Sequence, residues 1–193
     1  MSTVSTSDRR YHHGDLRRAL VDEGLRLIAE GSTEALSLRE LARRVGVSAT
    51  AVYRHFPDKG ALMAALAAEG LARLAAVQRS AFNAAGGGVA GFAATGAAYV
   101  RFALANPALF RLIFQHPAPP DLMSTAEGSG DAMAFLLANA RAYAPGHMDA
   151  QLFALQAWSV AHGLAMLMLD GQVPVDDRTV DAVVGAHLAQ KLE

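Results

Sequence analysis

The 193-residue sequence has no cysteine, one tryptophan and seven prolines, and only 7% of its residues are aromatic. The absence of cysteine excludes disulfides, thiolate metal sites and thiol redox sensing, and it fits a cytoplasmic address. No run alternates apolar and polar residues for long enough to argue for a sheet, and no internal repeat is visible. Behind the Ser/Thr-rich first eight residues stand Arg9 and Arg10, without the apolar stretch of a signal peptide, so residues 1–9 are expected to form a loose tail. With 52% apolar and 18% charged residues, the chain is too apolar for intrinsic disorder and long enough for a real core. Scarce proline and abundant alanine point to an all-helical protein.

The net charge of −1 argues against a nucleic-acid binder held by bulk charge. It conceals a split: the first 80 residues carry 12 basic against 9 acidic side chains, and the remainder 5 against 9. Such asymmetry fits a module for a charged partner joined to something else. Two stretches, Ala150 to Leu169 and Ser80 to Val100, carry no charge. The second is interrupted by glycines and the first holds Gln151, Gln156, Ser159 and His162, which sit poorly in lipid, so no membrane is expected. A helix apolar on all sides is better explained if one side meets its own core and another a partner subunit.

Helical periodicity predicts a first helix over residues 14–29 and a second from Leu38 to Val45, opened by the Ser37-x-x-Glu40 capping box. A third is expected from Ser48 through Phe56, and a fourth behind an Asp58 cap to about Ala81. Further helices are expected over 89–105, 107–115, 131–143, 148–169 and 177–192, separated at Asn106-Pro107, a Pro/Gly-rich loop over 116–130, Pro145-Gly146 and 171–174. Gly86 to Gly88 reads as a linker. The domains would be residues 10–57, a connecting helix over 58–83 and a larger domain over 84–193.

Ser37 to Leu62 carries the function. Ala42 is small where two helices must approach, Gly46 suits the positive φ of a sharp turn, and Val47 and Val52 close the wedge against Leu38, Leu41 and Val45. This is a helix-turn-helix, whose second helix enters the DNA major groove. That helix would expose Ser48, Ala49, Thr50, Tyr53 and Arg54, with Val52 and Phe56 turned inward. Hydroxyls and methyls can meet base edges, and Arg54 can reach guanine or phosphate. His55 and Lys59 stand as phosphate donors where the next helix begins, Ser37 and Arg39 at the start of the second helix, and the arm from Arg9 to His13 adds backbone or minor-groove contacts. Arg43 and Arg44 read as a solvated face.

Over about residues 10–65, through Leu41-Ala42, Val45-Gly46-Val47-Ser48, Tyr53-x-His55-Phe56 and Lys59-x-x-Leu62, the chain resembles the tetracycline-repressor (TetR) family of bacterial transcriptional regulators. The resemblance implies a three-helix DNA-binding domain, a long fourth helix, and a helical-bundle domain that dimerises through the last two helices and binds a small effector. Ser48, Ala49, Thr50, Tyr53, Arg54, His55 and Lys59 would then face DNA. Thr50 departs from a common Gly, which bears on operator sequence, and Gly60 from a common Glu, which bears on helix stability. Trp158 to Leu164, with Tyr11 to Leu16, resembles the subgroup whose effector domain is named for Trp, His and Gly.

The implied reading is a homodimeric repressor released from a palindromic double-stranded operator by an unknown small molecule. Its pocket would draw on Phe102, Phe110, Phe114, Phe135, Trp158, His162 and Met166, although each also suits an ordinary core or interface position. The histidines lack ligand spacing, and no nucleophile–base set can be assembled, so neither metal, cofactor nor catalysis is expected. The competing reading is a small-molecule-binding helical bundle or enzyme with a vestigial helix-turn-helix.

Overall fold

The computed structural model describes residues 13–31, 36–115 and 131–189, with side chains over 16–31, 36–115 and 132–185. Among these residues the chain forms helices and no strand. The arm before His13, the 116–130 loop and the chain after Ala189 lie outside the described residues. The chain divides into two compact units, Met1–Leu66 and Ala67–Glu193, with the boundary inside one helix.

The first unit holds α1 (His13–Ala29), α2 (Leu38–Val45), α3 (Ala49–Tyr53) and the start of α4 (Lys59–Ala84). Leu20, Leu27 and Ile28 of α1, Leu41 of α2, Val52 of α3, Phe56, and Leu62 and Leu66 of α4 form its fully buried core. Burial at such spacings selects one helical face, because residues three and four apart share it. Gly24 lets α1 and α4 close: a Cβ there would lie 2.8 Å from Leu66 Cδ2.

Caps set the boundaries. Ser37 Oγ accepts from Glu40 N at 3.1 Å, and Ser48 Oγ from Ala51 N at 3.2 Å. Asp58 Oδ1 accepts from Ala61 N at 2.7 Å, so Asp58 opens α4 as its side-chain chemistry predicts. The Ser37 box is one-sided, because the Glu40 carboxylate is taken by Arg43 and Arg44. Gly46 ends α2 at φ 76°, a left-handed conformation that a side chain resists. The third helix is expected through Phe56 but its regular run ends at Tyr53; Arg54 keeps a helical backbone and Phe56 N still donates to Val52 O at 2.9 Å before Pro57.

The second unit holds the rest of α4 with α5 (Gly88–Ala105), α6 (Pro107–Gln115), α7 (Asp131–Tyr143), α8 (Ala150–Leu169) and α9 (Asp177–Ala189). Here α5 is central and packs against α6, α7, α8 and α9. Phe92, Met133, Leu137, Ala140, Phe153 and Ala154 make one buried cluster. Gly86, Gly87 and Gly88 all have φ between 65° and 80°, which only glycine adopts readily, so the expected linker is a tight turn between α4 and α5. Helix α8 begins two residues later than its apolar pattern predicts, because Asp149 is extended and caps Gln151 and Leu152 N at 2.9 and 3.0 Å. Arg101 ties α5 to Asp177 and Asp181 of α9, both at 2.8 Å, and Arg111 ties α6 to Asp170 behind α8.

Candidate nucleic-acid interface

In the first unit, the residues singled out on α3 share one exposed face. Ser48, Thr50, Tyr53 and Arg54 are exposed and Ala49 is partly so, while Val52 and Phe56 point inward with 0% and 1% exposure. Two turns of sequence are thus divided between the core and a solvent-facing edge of hydroxyls, a phenol and a guanidinium. His55 is half-buried, Lys59 is exposed at the first turn of α4, and Ser37 and Arg39 are exposed at the start of α2.

The cations of this unit fall into two classes. Arg43 and Arg44 both bind Glu40, with N–O distances of 2.7 and 2.8 Å, and Arg44 also approaches Glu23 of α1 and Glu30 just beyond its end at 3.6 and 3.5 Å. Arg26 closes the network by binding Glu23 at 2.6 Å and Glu30. Both guanidinium groups are thus neutralised: Arg43, 72% exposed, lies on the solvated face expected of it, and Arg44 forms a strut from α2 towards α1. Arg39, Arg54 and Lys59, by contrast, have no acidic partner among the described residues, so their charge is available to phosphate.

The strut has a pH signature. Hydrogen bonds from Arg43 and then Arg44 hold the Glu40 carboxyl at about 2, below its ordinary 4.5, and a hydrogen bond from Arg26 lowers Glu23. A carboxylate depressed on folding stabilises above its unfolded value and loses that contribution as pH falls through its folded value. The thermal midpoint of the first unit should therefore fall between pH 4.5 and 2, with a shallower fall in Glu40→Gln. Identical pH profiles for the two proteins would show that the strut does not stabilise the unit.

Sequence reasoning missed Arg17. Its guanidinium lies 5.3 Å from the centroid of the Phe56 ring, so an exposed cation on α1 is braced against the residue that closes the recognition segment. Nothing local signals a pairing between residues 39 positions apart in the chain.

The second unit gathers Phe110, Phe114, Trp158 and His162, four of the seven residues expected near an effector. Phe114 and His162 have centroids 4.9 Å apart, Phe110 and His162 5.6 Å, and Trp158 and His162 6.0 Å. Tyr99 joins them, unanticipated: its hydroxyl meets His162 Nδ1 at 2.8 Å and accepts from Trp158 Nε1 at 3.1 Å. A tyrosine on a largely apolar helix was the available signal, since a buried phenol needs partners. Met166 is half-buried one turn beyond His162, and Phe102 is a buried residue of α5. Phe135 is instead packed edge-on against Phe82 at 5.6 Å.

Comparison with known proteins accounts for both units. Residues 20–66 match the family model for bacterial regulatory proteins of the tetR family, and residues 92–190 that for a tetracyclin repressor-like C-terminal domain. An HTH-type transcriptional repressor of Mycobacterium tuberculosis is 39% identical over 66 residues, 34% of this chain and 35% of that protein. An uncharacterised HTH-type transcriptional regulator of Haemophilus influenzae is 33% identical over 126 residues, 65% of this chain and 56% of that one. The chain thus spans between a third and just over half the length of these curated relatives. A solved structure of a protein of unknown function from Rhodococcus sp. RHA1 superposes with a TM-score of 0.78 at 33% identity, covering 96% of this chain and all of that one. With its helix-turn-helix matched at one end and more than half of its length matched to the C-terminal domain at the other, this chain belongs to the tetR family of bacterial regulatory proteins.

Proposed function

We propose that the chain is a cytoplasmic, homodimeric transcriptional repressor that binds a palindromic operator and leaves it when a small effector binds the second unit. The observation that carries this reading is the α3 edge: Ser48, Thr50, Tyr53 and Arg54 stand exposed over a buried Val52 and Phe56, flanked by Arg39 and Lys59, which have no acidic partner among the described residues. Phosphate contacts orient such a head and side chains at base edges select sequence.

The surfaces of α8 and α9 support a dimer formed through them. Leu152, Leu155 and Leu167 of α8 and Val183 of α9 are 39–48% exposed. Ser159 and Gly163 lie one turn apart on the outer side of α8, and a Cβ at Gly163 would meet nothing within 4 Å. Small residues framed by leucines permit close approach of a second helix. By length and composition α4, α5 and α8 are apolar enough to cross a membrane. A partner subunit on α8 accounts for its apolar outer side without lipid.

Effector release would act through α4, which belongs to both units. Leu109 and Ile113 of α6 press on it at Gly70, where a Cβ would lie 2.8 Å from Leu109 Cδ1. The other side of α6 carries Phe110 and Phe114 into the aromatic cluster, so an occupant there would bias α6 and with it α4. The Trp-His-Gly subgroup reading rests on the likeness of Trp158 to Leu164 and of Tyr11 to Leu16, and most of the second stretch lies outside the residues whose side chains are described.

Binding of the full chain to its own upstream DNA at several salt concentrations tests the proposal. Affinity should fall steeply as salt rises, with a slope shallower by about one in Lys59→Ala and a uniform loss across sequences. An unchanged slope removes Lys59 from the phosphate contacts. Salt-independent or absent binding favours a small-molecule-binding bundle or enzyme with a vestigial helix-turn-helix.

A further inference from the structure

The cluster around His162 contains a hydrogen-bonded chain that packing alone does not require. Trp158 Nε1 can only donate, and it donates to the Tyr99 oxygen. The Tyr99 proton then has one acceptor in reach, His162 Nδ1 at 2.8 Å. The arrangement that orphans no donor has His162 neutral, with its proton on Nε2. Burial also lowers the affinity of His162 for a second proton. Among the described residues Nε2 has no hydrogen-bond partner, and it is not one of the fully buried polar atoms left unpaired. The chain thus runs from indole to phenol to imidazole and ends in a free N–H that its predecessors polarise.

What surrounds that donor is flat and apolar. Phe110, Phe114 and Trp158 have ring centroids 4.9 to 6.0 Å from the imidazole. Phe114, Trp158 and His162 are only partly buried, so each of them keeps some accessible surface. Its five members carry no formal charge, and Arg111, the cation of α6, is already paired with Asp170. An anion here would be desolvated without a counter-charge, and a cation would find rings but no carboxylate. Apolar replacement of a satisfied polar pair is close to neutral for stability. The terminal donor therefore has more use in recognition than in folding.

We propose that His162 Nε2–H is the polar anchor of the effector site, and that the effector is an uncharged, flat, largely apolar molecule presenting one carbonyl-type oxygen to it. This rests on the reading of the second unit as the effector domain and adds the chemical class.

Trp158 is the one tryptophan of the chain, so its emission reports occupancy of this cluster directly. The full-length protein, free of DNA, is titrated by calorimetry and Trp158 fluorescence with four probes of one shape: 2-acetylnaphthalene, 2-ethylnaphthalene, 2-naphthoate and 2-naphthyltrimethylammonium. The ketone should bind about tenfold more tightly than the hydrocarbon, as one neutral hydrogen bond provides. That ratio should collapse towards one in His162→Phe and, by calorimetry alone, in the Tyr99→Phe/Trp158→Phe/His162→Phe variant, which removes every donor of the chain and so leaves none to replace the imidazole. Equal binding of ketone and hydrocarbon, a ratio that survives in both variants, tightest binding by the carboxylate or the ammonium, or no binding of any probe at millimolar concentration would overturn the proposal. Operator binding by the probe-free chain is measured separately. Its loss with the ketone preference intact removes the regulator reading and leaves the ligand class standing.

Discussion

Gly163→Arg is expected to lower operator affinity by roughly 10²- to 10⁴-fold, the range lost when two linked binding events become one. The glycine lies on the outer side of α8, where an added Cβ meets nothing within 4 Å in its own subunit. In a lone subunit the change favours the helix by about 0.8–1 kcal/mol, because glycine is among the poorest helix formers and arginine among the better ones. Across the proposed α8 interface the same side chain is bulky and brings a charge with no partner into an apolar contact. Stability of the subunit and strength of the dimer thus move in opposite directions, which separates this variant from a folding defect. Sedimentation should show a monomer at concentrations where the parent is a dimer, with helical content unchanged. A dimer of unaltered strength would place the interface elsewhere.

Phe56→Ala should destabilise the first unit by about 3–5 kcal/mol, the usual loss for a buried phenylalanine. Phe56 is 1% exposed and belongs to the largest fully buried side chains of the unit. At roughly 0.05–0.15 kcal/mol per residue, a unit of this size has a total stability of the same order as the loss. The reading head should therefore be mostly unfolded at 37 °C and operator binding lost. Removal of the ring also takes away the surface on which Arg17 rests. Denaturant unfolding followed by circular dichroism should gain an early transition accounting for the helices of the first unit, while Trp158 emission, which reports on the second, keeps its midpoint. A single transition at the parent midpoint, with full operator affinity, would contradict the role given to Phe56.

Much of the reading head was legible because its determinants are local. Ser37, Ser48 and Asp58 cap helices within three residues of themselves, Gly46 accommodates its own backbone, and Val52 and Phe56 turn inward by helical periodicity. The second unit was less legible, since an alanine-rich helix that is apolar all round does not say which side meets which neighbour. Phe110, Phe114, Trp158 and His162 were all candidates on composition, yet so was Phe135, which packs on Phe82 instead. Tyr99 passed unnoticed because its partners stand 59 and 63 residues away.

Low net charge does not disqualify a DNA reader whose Arg39, Arg54 and Lys59 have no acidic partner among the described residues while Arg26, Arg43 and Arg44 are neutralised by Glu23, Glu30 and Glu40. Which cations were neutralised was not written in their number, since Arg44 pairs with α1 only after α2 has packed there. By itself the sequence determined the helices, their caps, the helix-turn-helix and the family resemblance, all of which depend on neighbours a few residues apart. Only the tertiary structure decided which cations remain free, that Arg17 is braced on Phe56, and that an indole, a phenol and an imidazole from two helices form one chain ending in an unpartnered donor. Those outcomes depend on long-range packing, where a side chain's partner is set by how helices dock and not by its place along the chain.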